Sequence, residues 1–158
     1  MKKIDLEERI RKLEKEEQEL QFEHFSNDDA WNLGQMLVEA AKEKKVYTAL
    51  EIIVNGCVIF KYSFPHTNRH NAMWLRRKSN TVNTTHMSSL HAGTLLQQSG
   101  EDIGKDWFLQ PEDYACLGGG FPITIRGTGV IGSVCCSGLP HEQDHRMVVD
   151  TIRKYIRQ

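Results

Sequence analysis

The sequence predicts an α/β protein of the α+β kind, in which helices cover a sheet built from antiparallel hairpins. Two observations predict this class. Hairpin patterns occur at residues 46–64 and 121–137, and helical patterns precede, separate and follow them. Hairpins produce antiparallel sheets, whereas a doubly wound parallel sheet needs strands that alternate with helices. At 158 residues, the chain has the usual length of a single domain with one hydrophobic core.

The N-terminal segment predicts a charged helix. It consists mostly of Lys, Arg and Glu, and Leu6, Leu13 and Leu20 recur every seven residues. Such a narrow apolar seam suits a helix that packs on its own domain or on a partner subunit, and the pattern leaves both alternatives open. We therefore predict a charged N-terminal helix over 1–25, followed by a single domain over 26–158.

The second helix is predicted to begin at a capping box. Ser26 and Asp29 have the spacing of this motif, in which each side chain bonds the backbone N–H of the other residue. Lys42, Lys44 and Lys45 close the helix, where positive charges suit the negative end of the helix dipole.

The first hairpin is predicted around Asn55 and Gly56. An Asn-Gly pair between two runs rich in β-branched and aromatic residues is the typical two-residue hairpin turn, and here those runs are 46–54 and 57–64. Pro65 ends the second run, because proline cannot donate to a sheet ladder.

Two helices with a break between them are predicted next. The first begins at Thr67 or Asn68 and reaches about Lys78. Residues 80–85 are poor helix formers, which predicts a break or bend there. Apolar spacing over 86–98 then predicts the second helix.

The second hairpin is predicted from strands at 121–126 and 130–137, joined by the turn 127–129. Pro122 predicts an edge position or a strand start, because it lacks a donor. Pro140 then opens a final helix, since proline is well placed in a helix's first turn.

An uneven charge distribution is the main functional clue. Residues 52–100 contain five Lys or Arg and no Asp or Glu, although the whole chain has a net charge of −1. A positive segment without acids favours an anionic partner such as a carboxylate or a phosphate. One basic cluster without interleaved aromatic residues is a poor nucleic-acid footprint. We therefore expect an anionic small molecule rather than nucleic acid.

The candidate ligand-binding residues lie in two places. Basic side chains near a helix end can clamp an anion, and arginine binds a carboxylate through two donors. Three glycines before a strand permit close backbone approach and free N–H groups, although a flexible turn is the equal alternative. The candidate set is Asn71, Arg76, Lys78, His91, Gly118, Gly119 and Gly120.

Metal chemistry is weakly indicated. His66 and His70, like His141 and His145, are four residues apart, which places both rings on one face of a helix. Neither pair has a third ligand at an informative spacing, so any metal stays unknown. Haem needs only one axial histidine and remains a candidate cofactor. The four cysteines contain no Cys-x-x-Cys pair, and we expect free thiols.

Enzymatic motifs are scarce. The pattern Gly-x-Gly-x-x-Gly at 127–132 leads into a predicted strand, whereas a dinucleotide site needs a helix there. No Gly-x-Ser-x-Gly motif occurs. An enzyme stays the third hypothesis, with a base at His86 or His91 beside the serines at 88 and 89.

Residues 118–123, Gly-Gly-Gly-Phe-Pro-Ile, followed by 129–138 and Asp144, resemble the haem-degrading-domain family. That family includes the GlcG and HbpS proteins and the C-terminal domain of PduO-type corrinoid adenosyltransferases. The stretch 71–80 resembles an uncharacterised branch of it. The resemblance covers about 45–158 and implies a profilin-like antiparallel sheet of about five strands flanked by helices. It also implies homo-oligomers and, in some relatives, binding of haem or corrinoid-related ligands.

The leading hypothesis is a cytosolic domain that binds an anionic small molecule, with haem or another tetrapyrrole as a candidate whose propionates pair with Arg76 or Lys78. No stretch is apolar and long enough to span a bilayer, and the N-terminus is too charged for a signal peptide, which together predict the cytosol. The alternative is an oligomeric assembly module without a ligand, which the seam of the first helix motivates.

Overall fold

The structure, a computed structural model, describes residues 2–158. Its helices are α1 (Lys3–Glu19), α2 (Asn27–Lys44), α3 (Arg69–Thr85), α4 (Ser89–Ser99) and α5 (His141–Ile156), with a 3-10 turn at Pro111–Asp113. Its strands are β1 (Ala49–Val54), β2 (Cys57–Ser63), β3 (Gly120–Ile125) and β4 (Gly129–Ser137). The α+β class and both hairpins are confirmed.

The sheet has the order β2-β1-β4-β3, and all neighbours are antiparallel. It has four strands, whereas the family resemblance implied about five. Phe22 explains the difference, since it bridges to Ile125 beside β3 as a single residue. Residues 20–25, between α1 and the cap of α2, form no further strand beside β3.

Helices cover both faces of the sheet. On one face, α2 and α5 pack on the strands, and the core there includes Leu33, Ile52, Val134 and Val148. On the other face α3 packs on β1, β3 and β4, with Leu75 against Ala49 and Cys135. The adjacent thiols of Cys135 and Cys136 therefore belong to opposite faces, as alternation along a strand requires.

The break predicted at 80–85 is wrong. Helix α3 continues to Thr85, and His86 ends it with a left-handed backbone at φ +60°. The poor helix formers are held by tertiary bonds: Asn80 Nδ2 donates to the Asp113 carbonyl at 2.8 Å, and Thr81 Oγ1 bonds the backbone of Ala115. Such contacts override intrinsic helix propensity.

Helix α1 packs on its own domain. Leu6, Ile10 and Leu13 are buried, and α1 lies against α4. Arg9 of α1 also pairs with Glu142 of α5 at 2.7 Å. The apolar seam is satisfied within the chain, so it no longer motivates assembly through this helix.

Within the described part of the chain, no helix combines the length and the apolar character that crossing a membrane requires.

Candidate functional site

A cavity of about 370 Å³ opens between α3 and the first turn of α5. Two candidates from the sequence, Asn71 and Lys78, line it. The other lining residues are Trp74, Leu117, Ser137, Gly138, Leu139, His141 and Asp144. We call this space the α3–α5 cavity.

A buried ion pair forms one wall of the α3–α5 cavity. Lys78 Nζ donates to Asp144 Oδ2 at 3.1 Å and to the Cys136 carbonyl at 2.9 Å. Asp144 Oδ1 accepts from the backbone N–H of Leu139 at 3.0 Å. Burial raises the pKa of Asp144, and the Lys78 charge and the Leu139 N–H oppose that rise. Both carboxylate oxygens are thus engaged within the chain.

Cys136 is buried behind this ion pair. Its Sγ lies 3.3 Å from Asp144 Oδ1 and 2.9 Å from Thr48 Oγ1. Burial and the neighbouring Asp144 charge raise the pKa of this thiol well above its ordinary value. A protonated, buried thiol is a poor nucleophile, so Cys136 acts here as a packing and hydrogen-bonding group.

The triple-glycine turn lies directly behind this wall. Gly119 has φ +129°, and a β-carbon there would lie 2.7 Å from Lys78 Nζ and would collide with the Cys136 carbonyl. Gly118 donates its N–H to His141 Nδ1 at 2.9 Å, and Gly120 donates to Ser89 Oγ at 2.9 Å. Two of the three N–H groups are therefore used within the chain, and ligand contact by the glycines stays a prediction.

The polar groups that remain available in the cavity include two donors. Asn71 Oδ1 accepts from the backbone N–H of Asn68 at 3.0 Å, which leaves the amide NH₂ of Asn71 available. His141 Nδ1 accepts from Gly118, so the neutral ring carries its proton on Nε2. Burial lowers the pKa of His141, with Arg9 and Lys78 contributing, and this favours the neutral form.

Apolar groups complete the lining. Trp74, Leu117 and Leu139 contribute apolar surface, and Leu117 is 40% exposed. The Arg77 guanidinium carbon lies 4.4 Å from the centre of the Trp74 ring, which holds the indole in place. The cavity therefore combines hydrogen-bond donors with an apolar wall.

The structure does not bring Arg76 or His91 to this cavity. Arg76 is exposed, and it lies about 200° around the helix from both Trp74 and Lys78, because α-helical residues advance about 100° each. His91 is buried on α4, where its Nδ1 lies 3.0 Å from both carboxylate oxygens of Glu17 on α1.

Acids outside the positive segment pair with two of its five basic side chains. Lys61 pairs with Glu51 at 3.3 Å, and Lys78 pairs with Asp144. The segment contains no acid, but in the folded protein acids outside it lie beside these two lysines. The continuous positive surface that the sequence suggested is therefore reduced to a few side chains.

The histidine and serine alternatives have structural explanations. His66 precedes α3 and stacks edge-on against Tyr47, so it does not share a helix with His70. Ser88 Oγ caps α4 by accepting the His91 N–H. Over residues 2–158, no three His, Cys, Asp or Glu side chains are grouped as a metal site would need.

Sequence reasoning missed several lining residues. Trp74 and Leu117 carried no motif, because apolar side chains at these positions predict a helix face or a loop equally well. His141 was considered only as one of a histidine pair with His145, although His141 and Asp144 are three residues apart and share a helix face. That spacing was the available signal. In the fold, both side chains lie beside the glycine turn.

Comparison with known proteins identifies the family. A sequence model of the family described as haem degrading protein HbpS-like matches residues 25–153. The chain belongs to the HbpS-like family. The family resemblance drawn from the glycine turn is confirmed.

Two HbpS-like relatives are UPF0303 proteins. Protein YE1367 of Yersinia enterocolitica is 37% identical over 153 residues, which cover 97% of this chain and 91% of the relative. Protein SCO2848 of Streptomyces coelicolor is 37% identical over 147 residues, which cover 93% of both proteins.

Solved structures share the HbpS-like fold. The crystal structure of the Ybr137w protein is 25% identical, has a TM-score of 0.85, and covers 94% of this chain and 87% of that chain. The PduOC:heme complex is 20% identical and has a TM-score of 0.70. The match covers 82% of this chain and 93% of that chain. HbpS is 18% identical and has a TM-score of 0.66. The match covers 85% of this chain and 91% of that chain.

Proposed function

We propose that the protein binds a small organic molecule with an apolar body and a carboxylate edge in the α3–α5 cavity. The carrying observation is that Asn71 and His141 offer donors there while the Asp144 oxygens are already bonded. Free donors favour a ligand that accepts hydrogen bonds, and a carboxylate accepts through two oxygens.

The apolar part of the lining supports a flat or bulky ligand body. Trp74, Leu117 and Leu139 surround the donors with apolar surface. Ligand sites commonly combine an apolar lining with a few polar groups that fix orientation, and they commonly occupy about 300–1,000 Å³. The cavity of about 370 Å³ is within that range.

A tetrapyrrole is the candidate that family membership favours. The protein belongs to the HbpS-like family, and PduOC, which shares its fold, was solved as a heme complex. We propose that a propionate of such a ligand binds at Asn71 and His141, rather than at Arg76. His141 fits a carboxylate better than an iron, because its Nδ1 already accepts a hydrogen bond and its Nε2 carries the proton.

A titration with haemin and with metal-free protoporphyrin IX tests this function. Both should quench tryptophan fluorescence with dissociation constants within about threefold of each other, since the carboxylate and not the iron is recognised. Asn71→Asp keeps the Oδ1 acceptor for Asn68 but replaces the donor, and it should weaken both ligands about tenfold, the effect of losing one charge-assisted hydrogen bond. Arg76→Ala is the matched control and should bind as the wild type does. No binding, or equal losses in both variants, rejects the proposal.

A homo-oligomer is the second part of the proposal. The family resemblance implies homo-oligomers, and exposed apolar side chains such as Trp31, Val58 and Phe108 are available for contacts between copies. We also retain the cytosol as the proposed compartment, because all four cysteines are free thiols, as is usual in a reducing environment.

A further inference from the structure

The loop 101–110 holds an aromatic side chain in solvent. Phe108 is 86% exposed, and its backbone has φ +58°, which a non-glycine residue rarely adopts. The loop is nonetheless held by its own hydrogen bonds: Asp102 Oδ1 accepts from Gly104 and Lys105, and Trp107 Nε1 donates to Glu101. A fixed backbone keeps this phenyl ring exposed, which is the arrangement expected of an interface anchor.

The segment that carries Phe108 is acidic. Residues 101–113 contain five Asp or Glu and one Lys, a net charge of −4. The acids are Glu101, Asp102, Asp106, Glu112 and Asp113. We call this segment the acidic loop.

Helix α3 carries the complementary surface. Arg69, Met73 and Arg76 are spaced by four and three residues, so they form a stripe on one side of the helix. Met73 is 56% exposed, and both arginines are exposed. Over residues 2–158, neither arginine has an acidic partner within ion-pair distance. This arginine–methionine stripe faces away from Trp74 and Lys78, and so away from the α3–α5 cavity.

The acidic loop and the stripe are neighbours on the surface. Arg77 Nη2 donates to the Tyr114 carbonyl at 3.0 Å, and Asn80 Nδ2 donates to the Asp113 carbonyl at 2.8 Å. The end of the loop therefore lies against the second half of α3, while the stripe begins in the first half. A surface that is positive at one end and negative at the other is self-complementary about a two-fold axis.

We propose that the acidic loop of one copy docks on the arginine–methionine stripe of a second copy, with Phe108 against Met73 and the loop acids against Arg69 and Arg76. The inference rests on the proposed homo-oligomer and names its contact surface. Charge complementarity selects a second copy as the occupant, because the chain itself carries both halves of the contact. In a two-fold dimer the contact forms twice.

The edge strand β2 is the rival surface. It exposes Val58 and Tyr62, but a bulge between Val58 and Phe60 disturbs its register. Lys61 also lies along this edge, paired with Glu51. Bulges and charged residues are the usual means of protecting an edge strand from pairing. The edge of β2 is therefore the comparison surface in the test.

Sedimentation equilibrium of the full chain tests the proposal. The wild type should self-associate, and Phe108→Ser should raise the dissociation constant at least about tenfold, as expected for an interface anchor. Val58→Ser removes an exposed apolar side chain from β2 and should leave the constant within about twofold. The double reversal Arg69→Glu/Arg76→Glu should dissociate the complex, whereas Arg11→Glu/Arg157→Glu, at two exposed arginines elsewhere, should not. Circular dichroism checks that each variant is folded.

Mixing two defective variants gives a sharper test. Phe108→Ser keeps an intact stripe, and Arg69→Glu/Arg76→Glu keeps an intact loop, so a mixed dimer has one of its two contacts intact and should associate more tightly than either variant alone. An oligomer that persists in Phe108→Ser, or that is lost in Val58→Ser, overturns this surface and leaves the homo-oligomer standing. A wild type that is monomeric up to about 100 µM, far above typical specific affinities, overturns both.

Discussion

Lys78 Nζ and Asp144 Oδ2 lie 3.1 Å apart although the two residues are 66 positions apart in the chain. Their side chains are 4% and 2% exposed. The pair links α3 to α5 beside the glycine turn. Asp144 neutralises the Lys78 charge, which the sequence analysis had assigned to ligand binding. The α3–α5 cavity therefore depends on this pair for its shape and on Asn71 and His141 for its free donors.

Lys78→Met should destabilise the protein strongly. The substitution leaves the buried Asp144 carboxylate and the Cys136 carbonyl without their donor, and breaking a buried ion pair from one side costs about 3–5 kcal/mol. Lys42→Met is the control, since the side chains of Lys42 and its partner Glu39 are 56% and 65% exposed and such surface pairs contribute about 0–1 kcal/mol. Urea unfolding measures both. Equal losses in the two variants would show that the Lys78 pair has no special role.

Gly119→Ala should cost more stability than Gly127→Ala. Both glycines have positive φ, +129° and +79°. At Gly127 a β-carbon meets nothing within 4 Å, so we expect only a backbone cost of about 1 kcal/mol. At Gly119 the β-carbon would also collide with the Cys136 carbonyl and approach Lys78 Nζ, which should add about 1–3 kcal/mol. Thermal unfolding of the two variants compares them directly, and similar melting temperatures would contradict the close approach.

Docking of α1 should weaken in acid. Glu16 is buried and bonded to His145 at 3.1 Å and to Arg146. Burial raises the pKa of Glu16, but the bond and charge of His145, the charge of Arg146 and that of Lys12 together lower it below 4.5. A lowered carboxyl pKa gives stability that is complete above the unfolded value and is lost as pH falls through the folded value.

The pH dependence of Glu16→Gln tests this coupling. The variant should be less stable than the wild type by about 1–3 kcal/mol at pH 7, the cost of removing a charged partner from a buried bond. The difference should shrink as the pH falls below about 4.5. Glu14→Gln, on the exposed side of α1, is the control. A Glu16→Gln deficit that stays constant down to pH 3 would exclude the ionised carboxylate as its cause.

Thr81→Val should destabilise the junction between α3 and the following loop. Thr81 Oγ1 lies 3.0 Å from the Ala115 carbonyl and 3.1 Å from its N–H. Valine has the same shape but no hydroxyl, so the Ala115 carbonyl loses its donor at a cost of about 1–3 kcal/mol, whereas the Ala115 N–H keeps the Arg77 carbonyl at 3.1 Å. Thr84→Val, at an exposed position of the same helix, should change the free energy of unfolding by less than about 0.5 kcal/mol.

Local signals predicted the elements well because their causes are local. Asn55 and Gly56 adopt φ +50° and +80°, as a two-residue turn with two positive φ values requires. Ser26 and Asp29 form both bonds of the capping box. These features depend on residues within one turn of each other, so a short stretch of sequence contains all the information.

The site could be predicted only in part because its causes are not local. The sequence singled out both Arg76 and Lys78, but which of them faces the sheet depends on the phase of α3. The sequence predicted a helix containing both residues but not which side of it packs on the sheet, and the tertiary bonds of Thr81 that continue the helix are invisible in sequence. The partnership of Lys78 with Asp144 likewise needs the fold.

An NMR titration of the ¹⁵N-labelled protein with protoporphyrin IX tests the central claim most directly. Ligand in the α3–α5 cavity should shift the Trp74 indole N–H signal and the backbone signals of Asn71 and Gly138, while those of Arg69 and Arg76 on the far side of α3 stay in place. Shifts confined to the outer side of α3, or no shifts at saturating ligand, would contradict the account.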